Sequence, residues 1–246
     1  MKILQAIEAD FEESVSRSSD ETREIRMDNF NEFKKLGIPT SKQEFWKFTN
    51  PSIIKDSEFT LGLSKDYDDK KYDIIVVNGK LTKKNDDIKI NNIHESLAEK
   101  KISNEIFGIT NNPFINLNNA FSTEGCVLSF KDNVEKEISI LNVIDNTTSK
   151  QITHPRIIIN VGKNSNISIL EKIRFLGNKE NLVNSVTNFS LDEGSKVEHI
   201  LIDDYSENTY QISNVLVKQK RDSNFSSYNY SNGKMLARKD FIIELK

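Results

Sequence analysis

The chain has 246 residues, of which 36% are apolar and 29% charged, and its net charge is −3. This content of Ile, Leu, Val and Phe is too high for a disordered chain. The negative net charge argues against nucleic-acid binding, which normally requires a basic domain. The longest strictly apolar run, Ile74–Val77, is too short to span a membrane, and the N-terminus predicts neither a signal peptide nor a transit peptide.

The first 50 residues predict helices. Apolar residues at spacings of three and four form one helical face: Leu4, Ile7, Phe11 and Val15. The S-x-x-E pattern of residues 18–21 predicts a capping box at the start of a second helix. The apolar positions of that helix are Ile25, Phe30, Phe33 and Leu36. Gly37 and Pro39 are expected to end it.

The stretch GIPTSKQEFWKF follows this second helix. Ser41 and Glu44 repeat the S-x-x-E pattern, which predicts that another helix starts here. Phe45, Trp46 and Phe48 lie within one turn of that pattern and cannot share one face. We expect either Trp46 or the Phe45/Phe48 pair to pack inward while the lysines stay in water.

The middle of the chain predicts mixed structure. Residues 72–78 are expected to form a strand ended by the turn dipeptide Asn78-Gly79. Residues 93–107 and 114–121 are each expected to form a helix.

After Gly125 the chain consists of short segments in which apolar and polar residues alternate, each followed by a polar turn. These segments are residues 157–161, 167–175, 183–191, 197–205, 210–217 and 225–230. No helical pattern intervenes. Such a series predicts an all-β structure, which can be a sandwich, a barrel or a β-solenoid.

The two textures divide the chain into an N-terminal α-rich region, residues 1–112, and a β core, residues 113–246. Phe241, Ile243 and Leu245 alternate up to the last residue, Lys246, without a turn or capping residue. A strand that ended there would expose an unpaired edge. We therefore expect residues 113–246 to be only the front part of the core of a longer protein.

Motifs for nucleotide binding and for nucleophilic catalysis are absent. Gly162-Lys163 lacks the partner glycine and the hydroxyl residue of a phosphate-binding loop, and no two glycines have the G-x-G spacing. No G-x-S-x-G nucleophile elbow occurs.

Metal-binding patterns are also lacking. His94, His154 and His199 lie far apart, so we expect surface or hydrogen-bonded core histidines rather than ligands. Cys126 is the only cysteine, which rules out an intrachain disulfide and favours a reducing compartment, the cytoplasm. It opens the apolar stretch CVLSF and is expected to be buried, and alone it cannot hold an iron–sulfur cluster.

Three carboxylate pairs, at residues 68–69, 86–87 and 203–204, lie next to turn-like sequence and are expected in solvated loops. Arg238 and Asp240 are two residues apart on a predicted strand and therefore share a face. We expect them to form a structural ion pair.

Five stretches, taken together and in order, resemble the SufB/SufD family and its SufD-type members in particular. They are GIPTSKQEFWKFTNP, VVNGKL, PFINLNNAFSTEG, HPRIIINVGKNSNISILE and NGKMLARKDFIIEL. The resemblance implies a mainly β fold: a right-handed parallel β-helix core preceded by an α-rich N-terminal region. It also implies a non-catalytic subunit of the SUF iron–sulfur cluster assembly scaffold, which supports cluster assembly and transfer to apoproteins. The implied partners are a SufB-like scaffold subunit and a SufC-like ATPase, with no nucleic acid and no membrane.

The family's cysteine and histidine proposed to act at the SufB interface, and its SufC-docking helices, lie beyond the position of Lys246. The resemblance therefore indicates a C-terminally truncated SufD-type chain and assigns no catalytic, cofactor-binding or metal residue to it. Cys126 does not match the functional cysteine. We expect no cofactor on this chain alone and an iron–sulfur cluster only transiently in the complex.

Two other functions fit the sequence less well. A polysaccharide-active enzyme on a β-helix would carry clustered carboxylates or basic residues along one face, whereas Asp and Glu are scattered here. A SufB scaffold subunit would be expected to show a different entry and more cysteines.

Overall fold

The computed structural model describes residues 2–16, 20–85, 88–98, 102–122 and 125–246. Within them, the α-helices are α1 (Lys2–Ser16), α2 (Asp20–Leu36), α3 (Ile93–Ala98) and α4 (Pro113–Phe121). Short 3-10 helices span Glu44–Trp46, Pro51–Ile54 and Asn104–Phe107.

The strands are numbered along the chain. The first seven are β1 (Thr60–Leu61), β2 (Ile74–Val77), β3 (Lys80–Lys83), β4 (Ile90–Asn92), β5 (Cys126–Phe130), β6 (Glu135–Ile144) and β7 (Gln151–Thr153). The others are β8 (Arg156–Val161), β9 (Asn166–Phe175), β10 (Asn181–Leu191), β11 (Lys196–Asp203), β12 (Thr209–Gln219), β13 (Asn224–Ser231) and β14 (Leu236–Leu245).

The strands form two sheets that the chain visits in turn. Sheet A contains β1, β4, β5, β7, β8, β10, β12 and β14, and sheet B contains β2, β3, β6, β9, β11 and β13. From β5 onward the chain alternates between the sheets, with β7 and β8 together forming one visit to sheet A, and neighbouring strands from successive visits are parallel and in register. The result is a parallel β-solenoid of about four turns. The expected β-helix core is confirmed, and the sandwich and barrel alternatives are not adopted.

One corner of each turn is fixed by a residue with positive φ. These residues are Asn133, Asn164, Gly194 and Asp222, at φ 55–66°. Asn, Asp and Gly are the residues that reach this backbone region at low cost. The amide of each of the first three donates to the carbonyl just before the next corner, at 2.8–3.1 Å. The polar turns seen in the sequence thus stack on one another and hold the strands in register.

The lumen between the sheets is filled by alternate residues of each strand. Ile157, Ile159 and Val161 point into it as the alternation predicted, together with Ile167 and Ile169 of the next turn. Parallel strands of this kind bury an apolar face only when neighbouring turns cover one another.

The N-terminal end of the solenoid is closed by antiparallel strands. The predicted Asn78-Gly79 turn is confirmed: both residues have positive φ, and they join β2 to the antiparallel β3. The short β4 pairs antiparallel with β5. Residues 60–92 therefore contribute strands to both sheets.

The helices cover the outer face of sheet A. Apolar residues of α1, α2 and α4 share a core with Ile152, Leu182 and Ile212, which project outward from this sheet. Gly37 ends α2 as expected: its φ is 67°, and its amide donates to the Phe33 carbonyl at 2.8 Å. The capping box of residues 18–21 lies partly outside the described residues. None of the described helices is both long and apolar enough to cross a membrane.

Two helix predictions are wrong. No helix starts at Ser41: the segment forms only the 3-10 turn Glu44–Trp46. Its preceding loop is held by local side-chain bonds, since Gln43 Oε1 accepts from the Thr40 amide at 2.8 Å. Residues 93–107 do not form one helix either: α3 ends at Ala98, and a separate 3-10 helix begins after Ser103, whose hydroxyl accepts from the Glu105 amide.

Trp46 is the inward-facing aromatic of the GIPTSKQEFWKF stretch. It is 6% exposed, and its ring lies 5.4 Å from the Phe114 ring, whereas Phe45 and Phe48 are 84% and 93% exposed. The Arg238 guanidinium lies 4.1 Å from the indole centroid and donates to the Phe45 carbonyl. This turn therefore joins α4 to β14.

Replacing Trp46 by Ala should lower the free energy of unfolding by about 3–5 kcal/mol, because a buried aromatic ring leaves a cavity. Replacing Phe45, its exposed neighbour, by Ala should change it by less than about 0.5 kcal/mol. Urea unfolding of the two variants measures both values. Equal, small losses would show that the indole contributes no packing energy here.

Candidate assembly surface and polar lumen

The last two strands, β13 and β14, leave one face of the solenoid uncovered. Within the described chain, β13 pairs only with β11 and β14 only with β12. We call their lumen-facing side chains the uncovered turn: Phe225, Ser227, Asn229, Lys239, Phe241, Ile243 and Leu245. Ile243 is in register with Val217 of β12, yet Ile243 is 51% exposed and Val217 only 1%. A further layer of strands would bury Ile243 and its lumen-facing neighbours as β14 buries Val217.

The uncovered turn carries both apolar surface and free strand edges. Its apolar side chains lie on β14, as Phe241, Ile243 and Leu245, and on β13, as Phe225. Parallel edges of this kind pair readily with another strand. The surface is therefore suited to stacking with β-strands.

A polar pair that the sequence did not reveal lies inside the lumen. His199 Nε2 is 2.9 Å from Glu171 Oε2, and both side chains are buried. The carboxylate also accepts from Asn142 Nδ2 at 2.6 Å, and Ser227 Oγ lies 3.3 Å from His199 Nδ1. Because these residues come from β6, β9, β11 and β13, they form a polar column that reaches the uncovered turn.

A second polar group adjoins the column. Gln211 Nε2 donates to Asp203 Oδ2 at 3.0 Å, and Lys239 Nζ donates to Asn229 Oδ1 at 2.9 Å. Burial lowers the pKa of the Lys239 ammonium, whereas the charges of Asp203 and Glu171 oppose this shift. The charges of Asp203 and Glu171 thus favour the protonated form of Lys239.

A small internal cavity of about 10 Å³ lies beside the column. Asn142, Glu171, Ser185 and Thr187 line it with apolar neighbours, and Asn142 Oδ1 has no partner in the described part of the chain. This volume is about the smallest that can hold one water molecule.

A buried cation joins α4 to the solenoid. Arg156 Nη1 donates to Asn119 Oδ1 at 2.7 Å and to Asn118 Oδ1 at 3.1 Å, and Nη2 donates to the Ile106 carbonyl. The guanidinium lies over the Phe107 ring, and burial lowers its pKa to about 9. In the sequence, this contact is marked by the asparagine-rich stretch NLNNAF. Its side-chain amide oxygens accept the hydrogen bonds that a carboxylate would otherwise accept from a buried guanidinium.

The three histidines have different surroundings. His94 is exposed on α3. His154 is buried and stacks on Phe121 at 4.5 Å, with Asn184 Nδ2 3.2 Å from its Nδ1, and burial lowers its pKa to about 3. His199 lies in the polar column. Among the described residues, no group of three or more His, Cys, Asp or Glu is placed to hold a metal ion.

Cys126 is buried, as predicted, and burial raises the pKa of its thiol to about 12. It faces the lumen among apolar residues of β5 and β8. A thiol in this environment is a packing group rather than a nucleophile or a metal ligand.

The predicted ion pair is confirmed, since Arg238 Nε donates to Asp240 Oδ2 at 2.7 Å. The prediction of solvated carboxylates is wrong for Asp203. This residue ends β11, and its position in the strand register points its side chain into the lumen, where it is buried.

The other predicted carboxylates differ in their positions. Asp69 pairs with Arg174 at 3.1 Å, in a loop that precedes β2. The pair at residues 86–87 lies outside the described residues.

The known proteins that match this chain belong to one family. The family model described as "SUF system FeS cluster assembly, SufBD core domain" matches residues 143–246. "Iron-sulfur cluster assembly protein SufD" of Plasmodium berghei (strain Anka) is 30% identical over 118 residues, 47% of this chain and 9% of that protein. The protein of the same name from Plasmodium falciparum (isolate 3D7) is 31% identical over 116 residues, 46% of this chain and 8% of that protein.

Replacing Glu171 by Leu should lower the free energy of unfolding by about 3–5 kcal/mol, since His199 and Asn142 then lose a buried partner. Combining it with His199→Leu should cost less than the sum of the two single changes, because the imidazole that Glu171→Leu leaves without its buried partner is then also removed. Urea unfolding gives the double-mutant cycle. Additivity within about 0.5 kcal/mol would show that the two residues act independently.

Cys126 should not react with a thiol reagent such as DTNB in the native protein, and should react fully once the chain is unfolded in guanidinium chloride. Burial and the raised pKa keep the thiolate from forming. A Cys126→Ala variant that carries Ser41→Cys, an exposed position, is the matched control and should react at once. Rapid labelling of native Cys126 would contradict its burial.

The matched region, residues 143–246, runs from the end of β6 through β14 and contains two of the five stretches, HPRIIINVGKNSNISILE and NGKMLARKDFIIEL. The matched segments cover less than a tenth of either relative. The resemblance of this chain to the SufB/SufD family, and to SufD-type proteins within it, is thereby confirmed.

Proposed function

We propose that this chain is a non-catalytic subunit of a SUF-type scaffold complex for iron–sulfur cluster assembly and transfer to apoproteins. The match of residues 143–246 to the SufBD core domain carries the proposal. This region runs from the end of β6 through β14, so the similarity covers several successive strands of the solenoid rather than an isolated motif.

The proposed partners are a SufB-like scaffold subunit and a SufC-like ATPase. The family model and the two relatives are named for iron–sulfur cluster assembly, which supports partners of this kind.

We propose that this chain alone binds no iron–sulfur cluster and that the complex holds the cluster transiently. The enclosed thiol of Cys126 supports this proposal, because iron requires a thiolate and burial disfavours it. A buried free thiol is also compatible with the proposed cytoplasmic location, where thiols stay reduced.

Co-expression with the SufB-like and SufC-like subunits of the same genome tests the proposal. Affinity purification through a tag on the N-terminus of this chain should recover both partners. Recovery of this chain alone, with all three proteins expressed and soluble, would count against membership in such a complex.

A further inference from the structure

The chain contains two Asn-Gly dipeptides, and the structure places them in opposite surroundings. Asn78-Gly79 forms the turn between β2 and β3, whereas Asn232-Gly233 lies in the connection between β13 and β14. An asparagine followed by glycine is the one most prone to covalent change, because glycine has no Cβ to shield its backbone nitrogen from the asparagine side chain. None of the chemistry described above uses the second dipeptide.

The Asn78 side chain is held by several hydrogen bonds. Its Nδ2 donates to the carbonyls of Leu63 and Asp145 at 2.7 and 3.3 Å, and its Oδ1 accepts from the Asp145 amide at 2.9 Å. Gln151 Nε2 also donates to this oxygen, and the residue is only 9% exposed. These bonds would have to break before the side-chain carbon Cγ could approach the Gly79 nitrogen. The fold therefore protects Asn78.

The second dipeptide has no such protection. Asn232 and Gly233 are both exposed. Within the described residues, neither the Asn232 side chain nor the Gly233 backbone amide has a hydrogen-bond partner. The two reacting groups, the side-chain carboxamide and the glycine nitrogen, are therefore free to meet.

The packing of the turn requires glycine after Asn232. The φ angle of Gly233 is 32°, and a Cβ at this position would overlap the Tyr205 ring. Its carbonyl accepts from the Ser206 amide at 3.1 Å, which fixes the turn against the preceding corner. The structure thus keeps beside Asn232 the one residue that leaves the backbone nitrogen unshielded.

A lysine ammonium lies on the peptide bond between the two residues. Lys234 Nζ donates to the Asn232 carbonyl at 3.0 Å and to the Asp204 carbonyl at 2.6 Å. It also lies 4.7 Å from the centroid of the Phe175 ring. A deprotonated Gly233 nitrogen shares its negative charge with the Asn232 carbonyl oxygen. A hydrogen bond from a cation to that oxygen therefore favours the deprotonated, nucleophilic form.

We propose that Asn232 is a site of spontaneous conversion to isoaspartate in the folded protein, and that Lys234 promotes the reaction. The Gly233 nitrogen loses its proton to solvent and forms a bond to Cγ of Asn232. The bond from Cγ to Nδ2 then breaks, and the departing nitrogen takes up a proton and leaves as ammonia. Water opens the resulting succinimide at either carbonyl, which gives isoaspartate or aspartate. The net change is the uptake of one water and the loss of one ammonia.

The product alters the connection that leads into β14. Isoaspartate adds one carbon to the backbone and places a new carboxylate beside Lys234. Two hydrogen bonds anchor this connection: the Ser206 amide donates to the Gly233 carbonyl, and the Met235 amide donates to the Thr209 carbonyl at 2.9 Å. Both amides should exchange their hydrogens faster after the conversion, because a longer backbone no longer fits these anchors.

Mass spectrometry of the full chain, incubated in neutral buffer for several weeks, tests the proposal. Trypsin releases the two sites on separate peptides, residues 72–80 and 222–234, and fragmentation locates the modified asparagine. Digestion in H₂¹⁸O marks any conversion that occurs during the digest. In the native chain Asn232 should convert at least about tenfold faster than Asn78, whereas in urea the two rates should agree within about threefold.

The chemical identity of the product is measured separately. An L-isoaspartyl methyltransferase with labelled S-adenosylmethionine should methylate the incubated protein, and Asn232→Gln should remove this signal from peptide 222–234, because glutamine would have to form a less favourable six-membered ring. Hydrogen exchange at Ser206 and Met235 should be faster in the incubated protein than in fresh protein.

Substitutions of Lys234 test its part in the reaction. Lys234→Met removes the donor to the Asn232 carbonyl and should slow the conversion at least about threefold. Lys234→Arg keeps a cation there and should restore most of the rate. A lysine that only restrained the turn would give the opposite sign, because a looser turn would let the reacting groups meet more often.

Equal rates at Asn232 and Asn78 in the native chain would overturn the proposal. Conversion of Asn232 to aspartate without isoaspartate would also overturn it, since this result indicates direct hydrolysis of the side-chain amide. Faster conversion in Lys234→Met would overturn the role of Lys234. Every readout uses this chain alone, so the result is independent of the proposed scaffold complex.

Discussion

The structure depends on the hydrogen-bonded register between successive turns of the solenoid. A single turn cannot bury its own lumen side chains, because the only cover along the solenoid axis is the next turn. Val215 and Val217 are buried because Phe241 and Ile243 lie in register above them, whereas no strand within the described residues covers Phe241 and Ile243, which are exposed. The burial of each turn therefore depends on the turn stacked next to it.

The N-terminal region covers apolar side chains at the other end of the solenoid and on the outer face of sheet A. Arg156 binds the asparagines of α4, and Arg238 binds the turn that contains Trp46. These contacts join stretches that lie far apart in the chain, PFINLNNAF with HPRIIINV and GIPTSKQEFWKF with NGKMLARKDF. Four of the five family-like stretches are thus joined in pairs by these two contacts.

Much of the fold could be predicted from alternation and turn residues, but some features depend on contacts that a local pattern does not contain. The alternation of apolar and polar residues located the strands and the faces that point into the lumen. Sandwiches, barrels and solenoids share this alternation, so it does not distinguish between them. Glu171 and His199 occupy lumen positions that break the apolar alternation, and their pairing follows only from the register between β9 and β11. The turn before Trp46 resembled a helix start because Ser41 and Glu44 have the spacing of a capping box. The side chains that accept from backbone amides there are instead those of Thr40 and Gln43.

The chemistry of the uncovered turn restricts what can stack on it. On β14, Phe241 and Ile243 require apolar neighbours, whereas on β13 Ser227 and Asn229 continue the polar column that begins at Glu171. A strand shifted by one residue would place its opposite face toward the lumen and oppose apolar groups with polar ones. The side chains of the uncovered turn therefore restrict both the chemistry and the register of any strands that cover it.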